Sequence, residues 1–164
     1  MKAIRIALPA IISLVALTWL QTARAEDWSL FKNYDFNKAQ VVKEIPFAKQ
    51  HLVIQVSQGD PGRWGLVLNN VHNVIKYFGQ DKIQVVVVAY GPGLKMLFKN
   101  SPDAQRVAGL SAAGVEFDAC HATMLSIEKK TGHLPPLLPS AVVVPGGLVR
   151  IMQLQDHGYN YLKP

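Results

Sequence analysis

The stretch Ile83–Tyr90 reads IQVVVVAY, a β-branched run whose only polar residue before the final tyrosine is Gln84. A strand with one face in water alternates apolar and polar side chains, so a run without alternation has to be covered on both faces. That requirement places helices on either side of a sheet. The rest of the chain supplies them. His51–Ser57 (HLVIQVS) reads as a strand, and Trp64–Phe78 carries apolar residues at Trp64, Val67, Leu68, Val71, Val74, Ile75 and Phe78, the three-and-four spacing of an amphipathic helix. Asp60 and Pro61 stand where a helix cap and first helical residue belong. Leu94–Lys99 and Pro102–Ala113 read as helical, the second opened by Ser101 and closed by Gly114. Val115–Ala119 is a third strand, Thr123–Lys130 a helix, Ala141–Val144 a fourth strand, Leu148–His157 a helix and Tyr159–Leu162 a short fifth strand. Strands separated by helices make parallel βαβ units, and the expectation is an α/β protein: a three-layer α/β/α sandwich on a mostly parallel sheet of about five strands.

The amino-terminal part has a different character. Met1–Arg5 is basic, Ile6–Leu20 is apolar apart from Pro9, Ser13 and Thr18, and Ala23-Arg24-Ala25 has small-x-small form. This pattern predicts a signal peptide over residues 1–25, cleaved after Ala25, and hence a periplasmic protein. The apolar run is shorter than the ~20 residues of a spanning helix, so no stable membrane anchor is expected after cleavage. Residues 26–50 hold Trp28, Phe31, Tyr34, Phe36 and Phe47 among charges without a clean period, and read as an N-terminal arm lying on the body formed by residues 51–164.

Charge and motif content exclude two classes of partner. The formal net charge is +6, but three basic residues (Lys2, Arg5, Arg24) precede the first acidic one, which leaves +3 over residues 26–164. The remaining cations are scattered, with Lys129-Lys130 the densest pair, so no phosphate-tracking face for nucleic acid is present. Neither GxxxxGK[ST] nor a GxGxxG behind the first strand occurs, so no nucleotide cofactor is expected.

In an open parallel sheet, ligands bind beyond the carboxyl ends of the strands. The loops predicted there carry Gln58–Trp64, Gly91-Pro92-Gly93, Cys120-His121-Ala122-Thr123 and Pro145-Gly146-Gly147. Cys120 is the sole cysteine, so an internal disulfide is impossible, and the residue is an inert buried side chain, an intermolecular partner, a metal ligand or a reactive thiol. Its place between a strand end and a helix start, where backbone N–H groups and the helix dipole meet it, favours a reactive thiolate. Glu116 and Asp118 fall on the same strand face by period two and oppose that effect. As surface carboxylates about 7 Å apart along the chain they are expected to be screened by water, leaving the helix following Cys120 to dominate.

The segments QVSQGDPGRWGLVLNNVHNV, VVVVAYGPGLKML, SPDAQRVAGLSAAGVEFDACHATM and LPSAVVVPGGLVRIMQLQDHGYNYLKP, in this order, resemble the DsrE/DsrF-like family, in particular its exported single-domain members. The resemblance covers about His51 to Pro164. It implies a Rossmann-like α/β/α fold, assembly into homo- or hetero-oligomers, and a sulfur-relay role in which a cysteine carries sulfane sulfur as a persulfide. The matching cysteine is Cys120. This chain departs from the family pattern in having Ala122 where an asparagine is usual, and His121 directly after the cysteine.

The expected site is therefore Cys120, with Arg63, Trp64, Gly91, Gly93, His121, Thr123 and Gly146 as substrate-binding residues at the same sheet edge. Arg63 suits an anionic sulfur species through charge-assisted hydrogen bonds, whereas Trp64 also reads as packing at the helix start. The expected partners are further copies of the chain and a sulfur donor or acceptor, either a protein or a small sulfur species. A second reading takes Cys120, His121 and Met124 as soft donors for Cu(I), and a third is a structural or partner-binding module with Cys120 idle.

Overall fold

The computed structural model describes residues 31–164; the predicted signal peptide and its cleavage site lie outside the described residues, as does the start of the arm. Five strands, β1 (Gln50–Val56), β2 (Ile83–Ala89), β3 (Glu116–Cys120), β4 (Ala141–Val144) and β5 (Asn160–Leu162), form one sheet in the order β4-β3-β2-β1-β5. Every pairing is parallel. All seven residues of β2 are buried, as its unbroken apolar run demands. Four α-helices connect the strands: α1 (Pro61–Phe78), α2 (Ala104–Ala112), α3 (His121–Thr131) and α4 (Gly147–Asp156), with a 3₁₀ segment at Gly91–Leu97.

Chain direction decides which face each helix covers. The steps from β1 through β4 all run the same way across the sheet, so right-handed crossovers put their connections on one face. There Trp64, Leu68 and Val71 of α1, Leu94 and Leu97 of the 3₁₀ segment, Val107 of α2 and Met124 of α3 pack on Ile54, Val85, Val87, Phe117 and Ala119. The step from β4 back to β5 reverses direction, and α4 crosses the opposite face. Its Ile151 and Leu154 pack on Val53, Val86 and Val88, beside Tyr159. A ten-residue helix does not span this second face. Residues 31–49, which run without regular helix or strand, lie beside it, with Ala39 and Val41 against the same cluster.

Local signals set the helix ends. The Asp60 carboxylate accepts from the Gly62 N–H at 3.0 Å, so the predicted cap holds α1. For α2 the structure differs: Ser101 accepts from the Asp103 N–H at 3.3 Å in a turn, and the helix begins only at Ala104. Leu94–Lys99, expected as helical, is helical only as far as Leu97, as the end of the 3₁₀ segment, in which Gly91 takes φ +53° and Gly93 passes directly beneath the end of β1. A Cβ on Gly93 would stand 2.3 Å from the Val56 carbonyl oxygen. The helix after β3 starts two residues earlier than its periodicity predicts, at His121, which makes Cys120 its N-cap residue.

Candidate functional site

The reversal after β4 creates the point of interest. The connection leaving β3 turns to one face and the connection leaving its neighbour β4 turns to the other, which makes their carboxyl ends the topological switch point, where ligands bind in open α/β sheets. Cys120 ends β3 at this point, and Pro145-Gly146-Gly147 follows β4. The Ala122 N–H donates to the Pro145 carbonyl at 3.2 Å and ties the two connections together.

Cys120 does not use its own helix as the sequence predicts. No side-chain cap bond joins it to α3; its Sγ accepts from the Gly147 N–H, the first residue of α4, at 3.2 Å. The positive end of a helix dipole does face the sulfur, but the helix is the one entering from the neighbouring strand. Gly147 is required by contact: a Cβ there would stand 2.7 Å from Cδ1 of the Tyr90 ring. Tyr90 itself directly follows β2, half-buried, with its N–H on the Val56 carbonyl at 3.0 Å. Burial raises its phenol above the usual value; Tyr161 and Cys120 add to this electrostatically and the neighbouring Ser57 side chain opposes it.

The two acidic residues behind Cys120 are a correction to the sequence reading. Glu116 and Asp118 are not solvent-screened surface carboxylates: they are 1% and 0% exposed, and both bind Arg150 of α4, itself 1% exposed. Arg150 Nε donates to Asp118 Oδ2 at 2.7 Å and Nη2 donates to Glu116 Oε1 at 3.0 Å. The same Nη2 donates to the Gln40 carbonyl at 2.6 Å, while Glu116 Oε2 accepts from the backbone N–H groups of Val42 and Lys43 at 2.6 and 3.2 Å. Two carboxylates against one guanidinium leave a surplus negative charge in a buried place. Burial, and then the adjacent Glu116, push the Asp118 carboxyl well above the ordinary carboxylate range despite Arg150. Burial and the neighbouring carboxylate thus oppose a second negative charge at Asp118, while Arg150 favours it.

The remaining expected residues divide. Gly91 donates its N–H to Thr123 Oγ1 at 2.9 Å, which joins the β2 turn to the first turn of α3, and Gly146 caps α4 in extended conformation. His121, buried at the first position of α3, has its ring 5.2 Å from that of Phe31. His121 and Thr123 thus lie in the helical turn that Cys120 opens, and Gly146 precedes the residue that donates to its sulfur. Arg63 stands apart: exposed on α1, it lines a groove with Gln55, Ser57, Gln58 and Lys163 at the end of β1, separated from β3 by the whole of β2, or ~10 Å at the usual strand spacing. Trp64 is core, with its indole N–H on the Gln58 carbonyl at 2.7 Å. Met124 packs in the core of the α1–α3 face, while Cys120 Sγ is held by α4 on the other. Among the described residues no three His, Cys, Asp or Glu side chains are grouped to hold a metal ion.

Sequence reasoning missed Tyr90, Gly147 and Arg150. For Arg150 a signal existed: two acidic residues at inward positions of a strand call for a buried cation, and Arg150 is the cation in the inward stripe of the last helix.

No family model and no curated protein matches the chain. Among solved structures it is similar to MTH1491 from Methanobacterium thermoautotrophicum, a protein of unknown function, with 28% sequence identity and a TM-score of 0.64 over 71% of this chain and 100% of that one. The α/β fold is thus shared with that protein.

Proposed function

We propose that this protein accepts sulfane sulfur on Cys120 and passes it on, as a carrier of the DsrE/DsrF-like kind rather than a turnover enzyme. The observation that supports the reading most is the Gly147 N–H at 3.2 Å from Cys120 Sγ, at the start of α4 and at the switch point between β3 and β4. A backbone donor at a helix start favours negative charge on sulfur, which nucleophilic attack requires. In the uptake step the Cys120 thiolate attacks the outer sulfur of a persulfide RS–SH. A new Sγ–S bond forms, the RS–S bond breaks, and RS⁻ leaves with the electron pair; the hydrogen stays on the transferred sulfur. Passing the sulfur on repeats the same exchange with an acceptor thiolate.

Cys120 is only 5% exposed, so a donor has to present a narrow terminal sulfur rather than a bulky disulfide. The proposed setting is the periplasm, after cleavage behind Ala25, in an oligomer of this chain. The test is intact mass after exposure to inorganic polysulfide. One added sulfur atom, removed by a reductant and absent in Cys120→Ser, is the expected result. An unchanged mass, or the same gain in Cys120→Ser, removes the reading.

A further inference from the structure

We infer that Tyr90 is a positioning residue for Cys120, its ring backing the Gly147 peptide so that the N–H stays on the sulfur. The inference deepens the sulfur-carrier reading and rests on Cys120 being the reacting group. Three contacts carry it. The ring lies so close to Gly147 that an added Cβ would meet Tyr90 Cδ1, Cβ and Cγ at 2.7, 2.8 and 2.9 Å, so on this side the ring leaves the peptide no room to move. The Gly147 N–H donates to Cys120 Sγ at 3.2 Å. Tyr90 is itself held at both backbone groups, donating to the Val56 carbonyl at 3.0 Å and accepting from the Gly93 N–H at 3.1 Å. A line of contact therefore runs from the end of β1 through Tyr90 and Gly147 to the sulfur, across four strand ends.

Arg150 secures the same helix from the other side. It lies in the first turn of α4, and its N–H closes onto the Gly146 carbonyl at 2.9 Å while its guanidinium holds β3. The ion pairs fix α4 along β3, but they do not fix the orientation of the Gly147 peptide. The tyrosine ring does, and the ring rather than the hydroxyl makes the contact.

The experiment follows two rates at one neutral pH in the full chain: sulfur uptake from inorganic polysulfide by intact mass, and alkylation of Cys120 by iodoacetamide. The variants are Tyr90→Phe, Tyr90→Ala, Gly147→Ala and the double Tyr90→Ala/Gly147→Ala, each checked for native circular dichroism. Tyr90→Phe is expected within about twofold of the parent, and Tyr90→Ala and Gly147→Ala each about tenfold slower, the size of one lost charge-assisted hydrogen bond. In the double variant the ring atoms are gone and only the Cβ at position 90 still faces the new methyl group, so the loss should be clearly smaller than the product of the two single losses. Parent-like rates in Tyr90→Ala, a Tyr90→Phe as slow as Tyr90→Ala, or multiplying losses in the double variant would overturn the inference. If Tyr90→Ala loses its fold, Gly147→Ala against the parent carries the test: a variant about tenfold slower supports the inference and a parent-like rate overturns it. A parent that alkylates but takes up no sulfur refutes the carrier reading and leaves the positioning test intact.

Discussion

Arg150 Nε stands 2.7 Å from Asp118 Oδ2, an ion pair between the last helix and the third strand with neither side chain reaching solvent. The guanidinium also holds Glu116 and the Gln40 carbonyl, so one side chain joins sheet, helix and arm. Arg150→Met keeps much of the volume and removes the charge, leaving two buried carboxylates facing each other. The expected loss is about 3–5 kcal/mol, measured by urea unfolding. A loss below about 1 kcal/mol would mean that the cluster is not closed to water.

The upward shift of the Asp118 carboxyl makes a prediction with a definite sign. A carboxyl whose value is raised on folding holds its proton more tightly in the folded chain, so its contribution is complete below the unfolded value of 3.8 and is lost as pH rises toward the folded value. Asp118→Asn mimics the protonated form. Its stability relative to the parent should therefore grow as pH rises above 3.8, the difference cancelling carboxylates such as Asp35 and Asp81 that are common to both. A difference that shrinks with pH would show that the Arg150 pairing outweighs burial.

Gly93→Ala should be among the more harmful single methyl additions in the chain. The new Cβ meets the Val56 carbonyl oxygen, which belongs to the strand ladder and has no flexible end to move aside. A cost of about 1–3 kcal/mol is expected in thermal or urea unfolding.

Thr123→Val removes the acceptor of the Gly91 N–H while preserving shape. About 0.5–1.5 kcal/mol should be lost. Because Thr123 lies in the first turn of α3 directly after Cys120, alkylation of Cys120 measured in the same variant reports whether the β2 turn also steadies the sulfur; an unchanged rate would restrict Thr123 to stability.

Deleting residues 31–45 would uncover Glu116, Arg150 and Gln84, whose side chains bind the backbone of Gln40, Val42, Lys43 and Ile45. The expected outcome is loss of cooperative unfolding and binding of a hydrophobic dye; a stable truncated chain would show that α4 alone suffices on that face.

How far the sequence could be read depended on whether a residue's partner was near it in the chain. The strands and α1 were legible because periodicity and capping are local: Asp60 caps a helix two residues away. So was the position of Cys120 at a strand end. The identity of its donor was not, since Gly147 is separated from it by 27 positions and becomes a neighbour only when β4 pairs with β3. The burial of Glu116 and Asp118 escaped the local reading for the same reason, as their counter-charge is more than thirty residues downstream. Arg63 looked well placed because it follows a strand end, but strand order puts that end at the far side of β2.

The valine run of β2 carries an ambiguity that the fold has to resolve. Val85 through Val88 offer nearly the same surface if a neighbouring strand slides by two residues, and parallel pairing imposes no tight turn to fix the alignment. In β3, however, Glu116 and Asp118 stand opposite Val86 and Val88, on the face that α4 crosses. A slip by one would drive both carboxylates into the apolar layer beneath α1, α2 and α3, and a slip by two would carry them away from Arg150. The charged cluster thus serves as an index mark on a strand whose neighbour has none, so substitutions that neutralise all three groups at once should yield a chain that still collapses but pairs β3 in more than one alignment.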